Sequence, residues 1–362
     1  MGRPVRRKAS TRCFRLSRFR PVAAVLGAAL VALATPGAAR TETVPGVVTA
    51  VGVTAELVVS DIGRPIQLAF DPAGRLLVLG HGRRGDAAGE IHRFDVTGAL
   101  PIDAEHAPRV LIPFSEARKT TLGSLAVDTR TGDLYLGEEN GNRVYRLATE
   151  SRLTAVAVGL QHLVGGSSIA LDGDGRLVAL DFASPETEAR AESPPPRGLE
   201  APGSGYQGPL VFRVAVGEGA ALPRRLDLAP PLFPRGWLSP PGEPLTRLIA
   251  VAPRLDGTLL LVDSLGQVFR LGGGAEGLTR VARLPSGHFQ RTSVALAPDG
   301  ALLVSTGLHL RRLFRMTPDG AVSTVASELG DPEGVAVDAA GRIYVAETAL
   351  HRIIRLAPVR SQ

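Results

Sequence analysis

Short apolar runs alternate with turns along most of the chain, as in "PEGVAVDAAGRIYVAETALHRIIRL" (332 to 356). The runs hold four to six mainly Val, Leu or Ile residues and are bounded by Gly, Pro and Asp. Their length and branching predict β-strands rather than helices. The turn between the first two runs ends in glycine, because a tight connection needs a residue that tolerates positive φ. The pattern therefore predicts an all-β fold.

This unit occurs six times. The other copies are "IQLAFDPAGRLLVLGH" (66 to 81), "SLAVDTRTGDLYLGEENGNRVYRLA" (124 to 148), "SIALDGDGRLVALD" (168 to 181), "LIAVAPRLDGTLLLVDSLGQVFRL" (248 to 271) and "SVALAPDGALLVSTGLHLRRLFRM" (293 to 316). The turn glycines are Gly74, Gly132, Gly175, Gly257, Gly300 and Gly341, with gaps of 58, 43, 82, 43 and 41 residues. A period of about 40 to 50 residues with several short strands predicts a β-propeller.

Six blades are predicted, and the gap of 82 residues leaves seven blades as the alternative. Residues 182 to 245 hold only two convincing strands, "PLVFRVAV" (209 to 216) and "RRLDLAP" (224 to 230), and we assign both to blade 3. The last repeat has no fourth strand after it. We expect "AELVVSD" (55 to 61) to complete that blade, which closes the ring and removes an exposed edge. The propeller is then a single domain over residues 55 to 358, preceded by a linker at 40 to 54.

The segments "PEGVAVDAAGRIYVAE" with "HRIIRL", and "LAVDTRTGDLYLGEENGNRVYRL", resemble the NHL-repeat propellers and the neighbouring gluconolactonase and regucalcin group. The resemblance covers residues 55 to 358 and implies the fold, whereas one fold hosts many activities. In gluconolactonase-like enzymes a Glu, an Asn and an Asp hold a divalent metal. Here Gln67 or Ile66 stands in the place of that Glu, and Ser or Leu stands where the Asn is expected. Glu333 takes the place of the Glu only when the ring is read from another blade.

Up-and-down alternation places the strand 2 to 3 connections and the crossings between blades on one face. Carboxylates end the second strand in four repeats, at Glu138, Asp181, Asp263 and Glu347. Such a ring of oxygens suits a hard cation such as Ca²⁺. The other interpretation is that each acid caps the turn that follows it in its own blade. At the beginnings of the inner strands, the candidate ligand-binding residues are Gln67, Ser124, Ser168, Ser293 and Glu333.

Histidines and two insertions belong to the same predicted face. The histidines are His81, His162, His288, His309 and His351. His162 and His288 are the candidate pair for a transition metal, and His351 is expected to be structural. The insertions, residues 182–208 and 231–244, are rich in Pro, Gly and Glu, which predicts little regular structure. They form either a solvated decoration or a lid in which Trp237, Phe233 and Tyr206 cover the channel mouth.

The net charge of +6 comes from the start of the chain. Residues 1 to 20 hold eight basic residues and no acid, and the apolar run "PVAAVLGAALVALA" (21 to 34) follows. This order predicts an export signal that is too short for an ordinary membrane span. Cleavage is expected after Ala39, with Ala32-Leu33-Ala34 as a second possible site, and the alternative is an uncleaved anchor. The remaining chain has 33 basic and 35 acidic residues, so the basic character gives no reason to expect nucleic-acid binding. It also has no cysteine, because Cys13 lies before the apolar run.

These observations predict a secreted or periplasmic, monomeric propeller with no membrane span after cleavage. We expect it to bind a small molecule or a protein partner at the predicted face without catalysing a reaction. The alternative is a hydrolase or lyase of small molecules, similar to lactonases and assisted by a divalent metal.

Overall fold

A computed structural model describes residues 44–83, 89–107, 109–111, 121–139, 143–148, 152–160, 163, 165–181, 210–217, 219–232, 248–272, 278–285 and 289–358. In these residues the regular secondary structure is almost entirely β-strand, as predicted. The short helices are one α-helix, α1 (Gly307–Leu310), and three 3-10 turns at Ala104–His106, Leu226–Leu228 and Thr348–Leu350. None of the helices found there has the length and apolar character needed to cross a membrane.

The strands follow one another in the order of the sequence repeats. They are β1 (Val48–Thr49), β2 (Val53–Ser60), β3 (Pro65–Phe70), β4 (Leu76–Gly80), β5 (Glu90–Phe94), β6 (Ile102–Asp103), β7 (Arg109–Leu111), β8 (Thr121–Val127), β9 (Leu134–Glu139), β10 (Arg143–Ala148), β11 (Arg152–Val158), β12 (Ile169–Leu171), β13 (Arg176–Asp181), β14 (Leu210–Ala215), β15 (Arg224–Arg225), β16 (Leu248–Pro253), β17 (Leu259–Asp263), β18 (Gln267–Leu271), β19 (Leu278–Arg283), β20 (Val294–Leu296), β21 (Leu302–Ser305), β22 (Arg312–Met316), β23 (Val322–Ser327), β24 (Pro332–Val337), β25 (Ile343–Glu347) and β26 (Arg352–Pro358).

Six antiparallel blades are built from these strands, which confirms the predicted six-bladed propeller. Blades 1 to 5 are β3-β4-β5-β7, β8-β9-β10-β11, β12-β13-β14, β16-β17-β18-β19 and β20-β21-β22-β23, and blade 6 is β24-β25-β26-β2. The first strand of each blade contacts the first strand of the next, and β24 contacts β3. The six inner strands therefore surround a central channel. Apolar side chains fill the space between neighbouring blades, as where Phe70 meets Tyr344 edge-on with ring centroids 5.0 Å apart.

The ring is closed by the first long strand. Strand β2 pairs antiparallel with β26, from Val53 opposite Pro358 to Val59 opposite Ile353, which confirms the predicted closure. The joint is reinforced on the blade 1 side, where Thr348 Oγ1 donates to the Pro65 carbonyl at 2.5 Å. Within the segment expected to be a linker, β1 pairs with β23 of blade 5.

The fourth strand of blade 3 was predicted wrongly. Residues 224 to 230 do not extend that blade: β15 pairs in parallel with β11 of blade 2, and a 3-10 turn follows. The reason is burial, because the turn inserts Leu226, which is completely buried, into the cluster that includes Val156 and Val216. A short parallel strand followed by a 3-10 turn also occurs where blade 1 meets blade 6. There β6 pairs in parallel with β2 and precedes the turn that buries Ala104.

The turn from strand 1 to strand 2 repeats one set of interactions in blades 1, 3 and 6. In blade 6, Asp338 Oδ1 accepts hydrogen bonds from Ala340 N and Arg342 N, at 3.0 and 2.9 Å, and Oδ2 accepts from Arg342 Nε. The same contacts are made by Asp71 with Arg75 and by Asp172 with Arg176. Gly341 completes the turn with φ of +77°. The recurring Asp-x-x-Gly-Arg letters thus encode a self-contained turn.

Removing β1 and β2 tests the closure. A chain that begins at Gly63 lacks the fourth strand of blade 6 and exposes the edge of β26, so we expect it to lose cooperative unfolding in a denaturant titration followed by circular dichroism. A chain that begins at Val44 is the control and should unfold like the full chain. A cooperative transition of undiminished midpoint for the shorter chain would show that β2 does not hold the ring together.

A single methyl group tests the turn. Gly341→Ala places a Cβ where no other atom lies within 4 Å, so its effect isolates the cost of the left-handed backbone, about 1–2 kcal/mol of the free energy of unfolding. Gly98→Ala is the matched control, because that site is equally open and its φ lies outside the left-handed region. Equal unfolding free energies for the two variants would contradict this explanation.

Candidate functional site

The inner strands begin at one end of the channel, and we call this end the channel mouth (residues 64–67, 122–124, 165–168, 291–293 and 331–334). Four predicted ligand-binding residues meet across the channel here. Gln67 Nε2 donates to Ser293 Oγ at 2.5 Å, and the hydroxyls of Ser124 and Ser168 lie 2.7 Å apart. All four are at most 2% exposed. They form a polar layer whose side chains bond to one another.

Blade 6 contributes a glycine to this layer, which explains why Gln67 reaches Ser293 two blades away. A Cβ on Gly334 would lie 3.2 Å from Gln67 Cα and 3.1 Å from Leu68 Cγ. The missing side chain lets Gln67 pass across blade 6. A cavity of about 240 Å³ adjoins the layer in the channel and is lined mainly by residues of five inner strands, and its lining includes the polar residues Gln67 and Ser167.

Glu333, the fifth predicted residue, lies on β24 at the channel mouth and is only 2% exposed. Its Oε1 is buried and has no hydrogen-bond partner among the described residues. Its Oε2 lies 3.8 Å from Arg291 Nη1. Burial raises the pKa of Glu333 to about 7, although the positive charge of Arg291 acts in the opposite direction.

Arg291 connects Glu333 to a second carboxylate. Its Nη2 lies 3.2 Å from Oε1 of Glu139, at the end of β9, and the side chain of Glu139 is 14% exposed. Gly123 makes room for Glu139, because a Cβ there would come within 2.8 Å of Glu139 Cβ. Three blades thus bring two acids, Glu333 and Glu139, close to one base, Arg291, at the channel mouth.

A histidine closes the blade 1 side of this cluster. His81 is buried, and its Nε2 lies 2.7 Å from the Leu122 carbonyl. Burial lowers the pKa of His81, whereas the Leu122 carbonyl and Glu139 raise it and Arg291 and Arg64 lower it further. The net effect favours the neutral ring.

Backbone strain is concentrated just before the inner strands. Arg64, Arg291 and Asp331 have φ of +40°, +50° and +51°, although none is glycine. Left-handed backbone at such residues costs of order 1–3 kcal/mol and clusters at functional sites. The fold therefore holds these three charged residues at the channel mouth at a cost in stability.

The predicted ring of carboxylates does not form one ligand set. Asp263 Oδ1 accepts from Leu265 N and Gln267 N, at 3.0 and 2.8 Å. Glu347 accepts from Gly330 N at 2.7 Å and from Arg352 Nε at 2.5 Å. Both side chains thus serve their own blade, which is the capping interpretation. Across the described parts of the chain, no group of three or more His, Cys, Asp or Glu side chains is arranged to hold a metal ion.

The other two members of that ring differ from each other. Asp181 is 3% exposed and ends β13. Glu138 accepts a hydrogen bond from the Tyr145 hydroxyl at 3.3 Å. The register makes Glu138 the blade 2 equivalent of Glu347: each stands four residues after the residue that pairs with the last residue of the first strand, Leu134 in blade 2 and Ile343 in blade 6.

Glu139, the residue after Glu138, was not predicted as part of the site. Asp71, Asp172 and Asp338 each precede the turn glycine by three residues, whereas Asp128 precedes Gly132 by four. The additional residue lies before the turn glycine, so the second strand of blade 2 keeps its alignment on the glycines, and the repeat marks Glu138 rather than Glu139. The repeat does not mark Arg291 and Arg64 either, because their position depends on the left-handed backbone before the strands.

Some predicted residues lie outside the described part of the chain. These are Trp237, Phe233, Tyr206, His162, His288 and the insertions 182–208 and, apart from its first two residues, 231–244. His351 is described and is structural, because its Nδ1 accepts a hydrogen bond from Arg64 N at 3.2 Å across the joint between blades 6 and 1.

Comparison with known proteins supports the fold alone. No protein-family model matches the chain. No curated protein sequence matches it. Among solved structures, the chain is similar to a protein from Thermus thermophilus described as a putative oxidoreductase (glucose dehydrogenase), at 20% identity over 84% of this chain and 100% of that chain, with a TM-score of 0.53.

Two further structures are similar at lower identity. A protein described as a putative gluconolactonase matches at 14% identity over 86% of this chain and 93% of that chain, with a TM-score of 0.52. Virginiamycin B lyase from Staphylococcus aureus matches at 13% identity over 84% of this chain and 99% of that chain, with a TM-score of 0.50. The chain has the six-bladed propeller fold of the gluconolactonase and virginiamycin B lyase type.

Proposed function

We propose that this protein is an exported, monomeric propeller that binds a small polar molecule at the channel mouth. The observation that carries the proposal is the buried Oε1 of Glu333, which has no hydrogen-bond partner in the described part of the chain. Leaving such an atom unpaired costs about 1–3 kcal/mol, and more when it is charged. A ligand that donates a hydrogen bond to Oε1 removes this cost.

The surroundings of Glu333 support a binding site. Ligands bind in concave places where a few polar groups converge and pKa values are perturbed. Glu333, Arg291 and Glu139 converge from three blades, and the pKa of Glu333 is raised to about 7. The polar layer adjoins these residues, because Gln67 packs against Gly334, the residue after Glu333. A ligand would therefore rest on this layer at the channel mouth.

The second candidate function is a hydrolase or lyase of small molecules. A carboxylate with a pKa near 7 suits general acid–base catalysis at neutral pH. Two proteins of similar fold are described as a putative gluconolactonase and a virginiamycin B lyase. The predicted metal ligands Glu138, Asp181, Asp263 and Glu347 do not fit a shared cation, since Asp263 and Glu347 are engaged within their own blades. This candidate therefore rests on Glu333 as the proton acceptor and on no metal.

Ligand binding is tested by thermal unfolding with a panel of sugars, lactones, hydroxy acids and amines. A compound that binds the folded protein raises its melting temperature by mass action. We expect at least one compound to raise it for the wild type and for Glu105→Gln, an exposed control 64% open to solvent, but not for Glu333→Gln. No shift with any compound, or an equal shift in Glu333→Gln, would contradict a site at the channel mouth.

The two candidate functions are separated by an activity assay. We expect lactones and esters to be hydrolysed no faster with the wild type than in buffer alone. Turnover of gluconolactone that rises with pH around 7 and is lost in Glu333→Gln would instead establish the second candidate.

Glu333 also makes stability depend on pH. Its pKa is about 7 in the folded protein against an ordinary value of 4.5, so between these values the folded state binds more protons than the unfolded state. The contribution of this group to stability is therefore highest below pH 4.5 and falls as pH rises from 4.5 through 7. A shift of this size corresponds to roughly 3 kcal/mol.

Glu333→Gln should remove this pH dependence. Between pH 5 and pH 8.5, urea unfolding should show that the variant gains stability relative to the wild type, by up to roughly 3 kcal/mol. Glu105→Gln should follow the wild type at every pH. Parallel profiles for the wild type and Glu333→Gln would show that Glu333 ionises at its ordinary pKa.

A further inference from the structure

The charges at the channel mouth are unbalanced. Asp331, Glu139, Arg291 and Arg64 are the charged residues that act on the pKa of Glu333. Two of these are acids and two are bases, so their charges cancel. When Glu333 is ionised, these five groups therefore carry one negative charge in excess.

These groups lie in four different parts of the described chain. Arg64 precedes β3, Glu139 ends β9, Arg291 precedes β20, and Asp331 directly precedes β24. His81, at the end of blade 1's second strand, adds no charge, because burial lowers its pKa. The excess charge is carried by Glu333 itself.

On this basis we infer that the ligand of the channel mouth presents a protonated primary amine to Glu333. The inference rests on the proposed function and names the chemical class of its ligand. An ammonium group donates a hydrogen bond to the unpaired Oε1 and neutralises the excess charge. Charge-assisted hydrogen bonds of this kind are shorter and roughly twice as strong as neutral ones.

Other ligand chemistries satisfy the channel mouth less well. A hydroxyl donates to Oε1 but leaves the excess charge in a buried place, where an uncompensated charge is costly. A carboxylate adds a negative charge next to Glu333 and Glu139. A hard divalent cation takes six to eight oxygen ligands, and no group of three or more metal-binding side chains is arranged for one among the described residues.

A second buried oxygen without a described partner belongs to the residue after Arg291. Thr292 Oγ1 is buried and has no described hydrogen-bond partner, and Thr292 follows Arg291 directly. Thr292 stands eight residues before Gly300, and Glu333 stands eight before Gly341, so the two occupy the same position in blades 5 and 6. An ammonium carries three donors, which suits a site with more than one unpaired acceptor.

The test compares three probes of equal length: n-propylamine, n-propanol and propionate. Binding to the full protein is measured by NMR titration at pH 6.0 and pH 8.5, where propylamine stays protonated because alkylamines have a pKa above 10. Glu333 with a pKa of about 7 is mostly protonated at the lower pH and mostly ionised at the higher one. We expect propylamine to bind about tenfold more tightly at pH 8.5 and in preference to the other two probes.

Variants identify the group that responds. In Glu333→Gln the affinity for propylamine and its pH dependence should both be lost, and Glu105→Gln should behave as the wild type. If propanol or propionate binds at the channel mouth and propylamine does not, the amine inference is overturned while the proposed binding function stands. If none of the three binds, the inference is also overturned, and the panel of larger compounds decides the proposed function separately. Propylamine binding that persists in Glu333→Gln places the amine elsewhere and equally overturns it.

Discussion

The pairing of β2 with β26 is the interaction on which the rest of the structure depends. It supplies the fourth strand of blade 6 and thereby fixes that blade between blades 5 and 1. Glu333 lies on the inner strand of this blade, and its burial requires neighbours on both sides. Arg291 reaches it from blade 5, and Gly334 packs against Gln67 of blade 1. Without closure Glu333 would meet water, and neither its raised pKa nor its buried unpaired oxygen would exist.

The channel is lined by polar groups of two kinds, those with hydrogen-bond partners among the described residues and those without. Gln67 bonds to Ser293, and Ser124 bonds to Ser168, so these polar side chains find partners within the protein. Glu333, in contrast, is buried with an unpaired oxygen, and Arg291 next to Thr292 holds a strained backbone. Natural proteins depart from local rules mainly at functional sites and compensate elsewhere. The self-contained Asp-x-x-Gly-Arg turns and the closed ring provide that compensation here.

Much of the fold was predictable because a propeller repeats local chemistry. The turn glycines and the Asp and Arg around them encode turns that depend on neighbouring residues alone, and the incomplete last repeat shows that its fourth strand must come from elsewhere in the chain. The error at residues 224 to 230 arose where a distant contact decided the outcome: burial of Leu226 between blades 2 and 3 prevails over extension of blade 3. A strand-like sequence cannot reveal that competition.

The site was predictable only in part, for the same reason. The position of Gln67, Ser124, Ser168, Ser293 and Glu333 at the starts of inner strands follows from the repeat. Their partners do not follow from the repeat. Gln67 donates its hydrogen bond to Ser293 two blades away, and Arg291 lies near Glu333 because its own backbone is left-handed. The carboxylates that repeat most regularly, Asp263 and Glu347, support turns. The carboxylate that stands out is the one that interrupts the repeat, since Glu333 occupies the place of Ile66 in blade 1 and Thr292 in blade 5.

The central claim is that closure of the ring buries an ionisable carboxyl at the channel mouth. The most direct test is a ¹³C NMR titration of the Glu333 side-chain carboxyl, assigned by its absence from the spectrum of Glu333→Gln. The account predicts a midpoint near pH 7. A midpoint near the ordinary value of 4.5 would show that Glu333 is solvated or fully paired, and would contradict the site built on it.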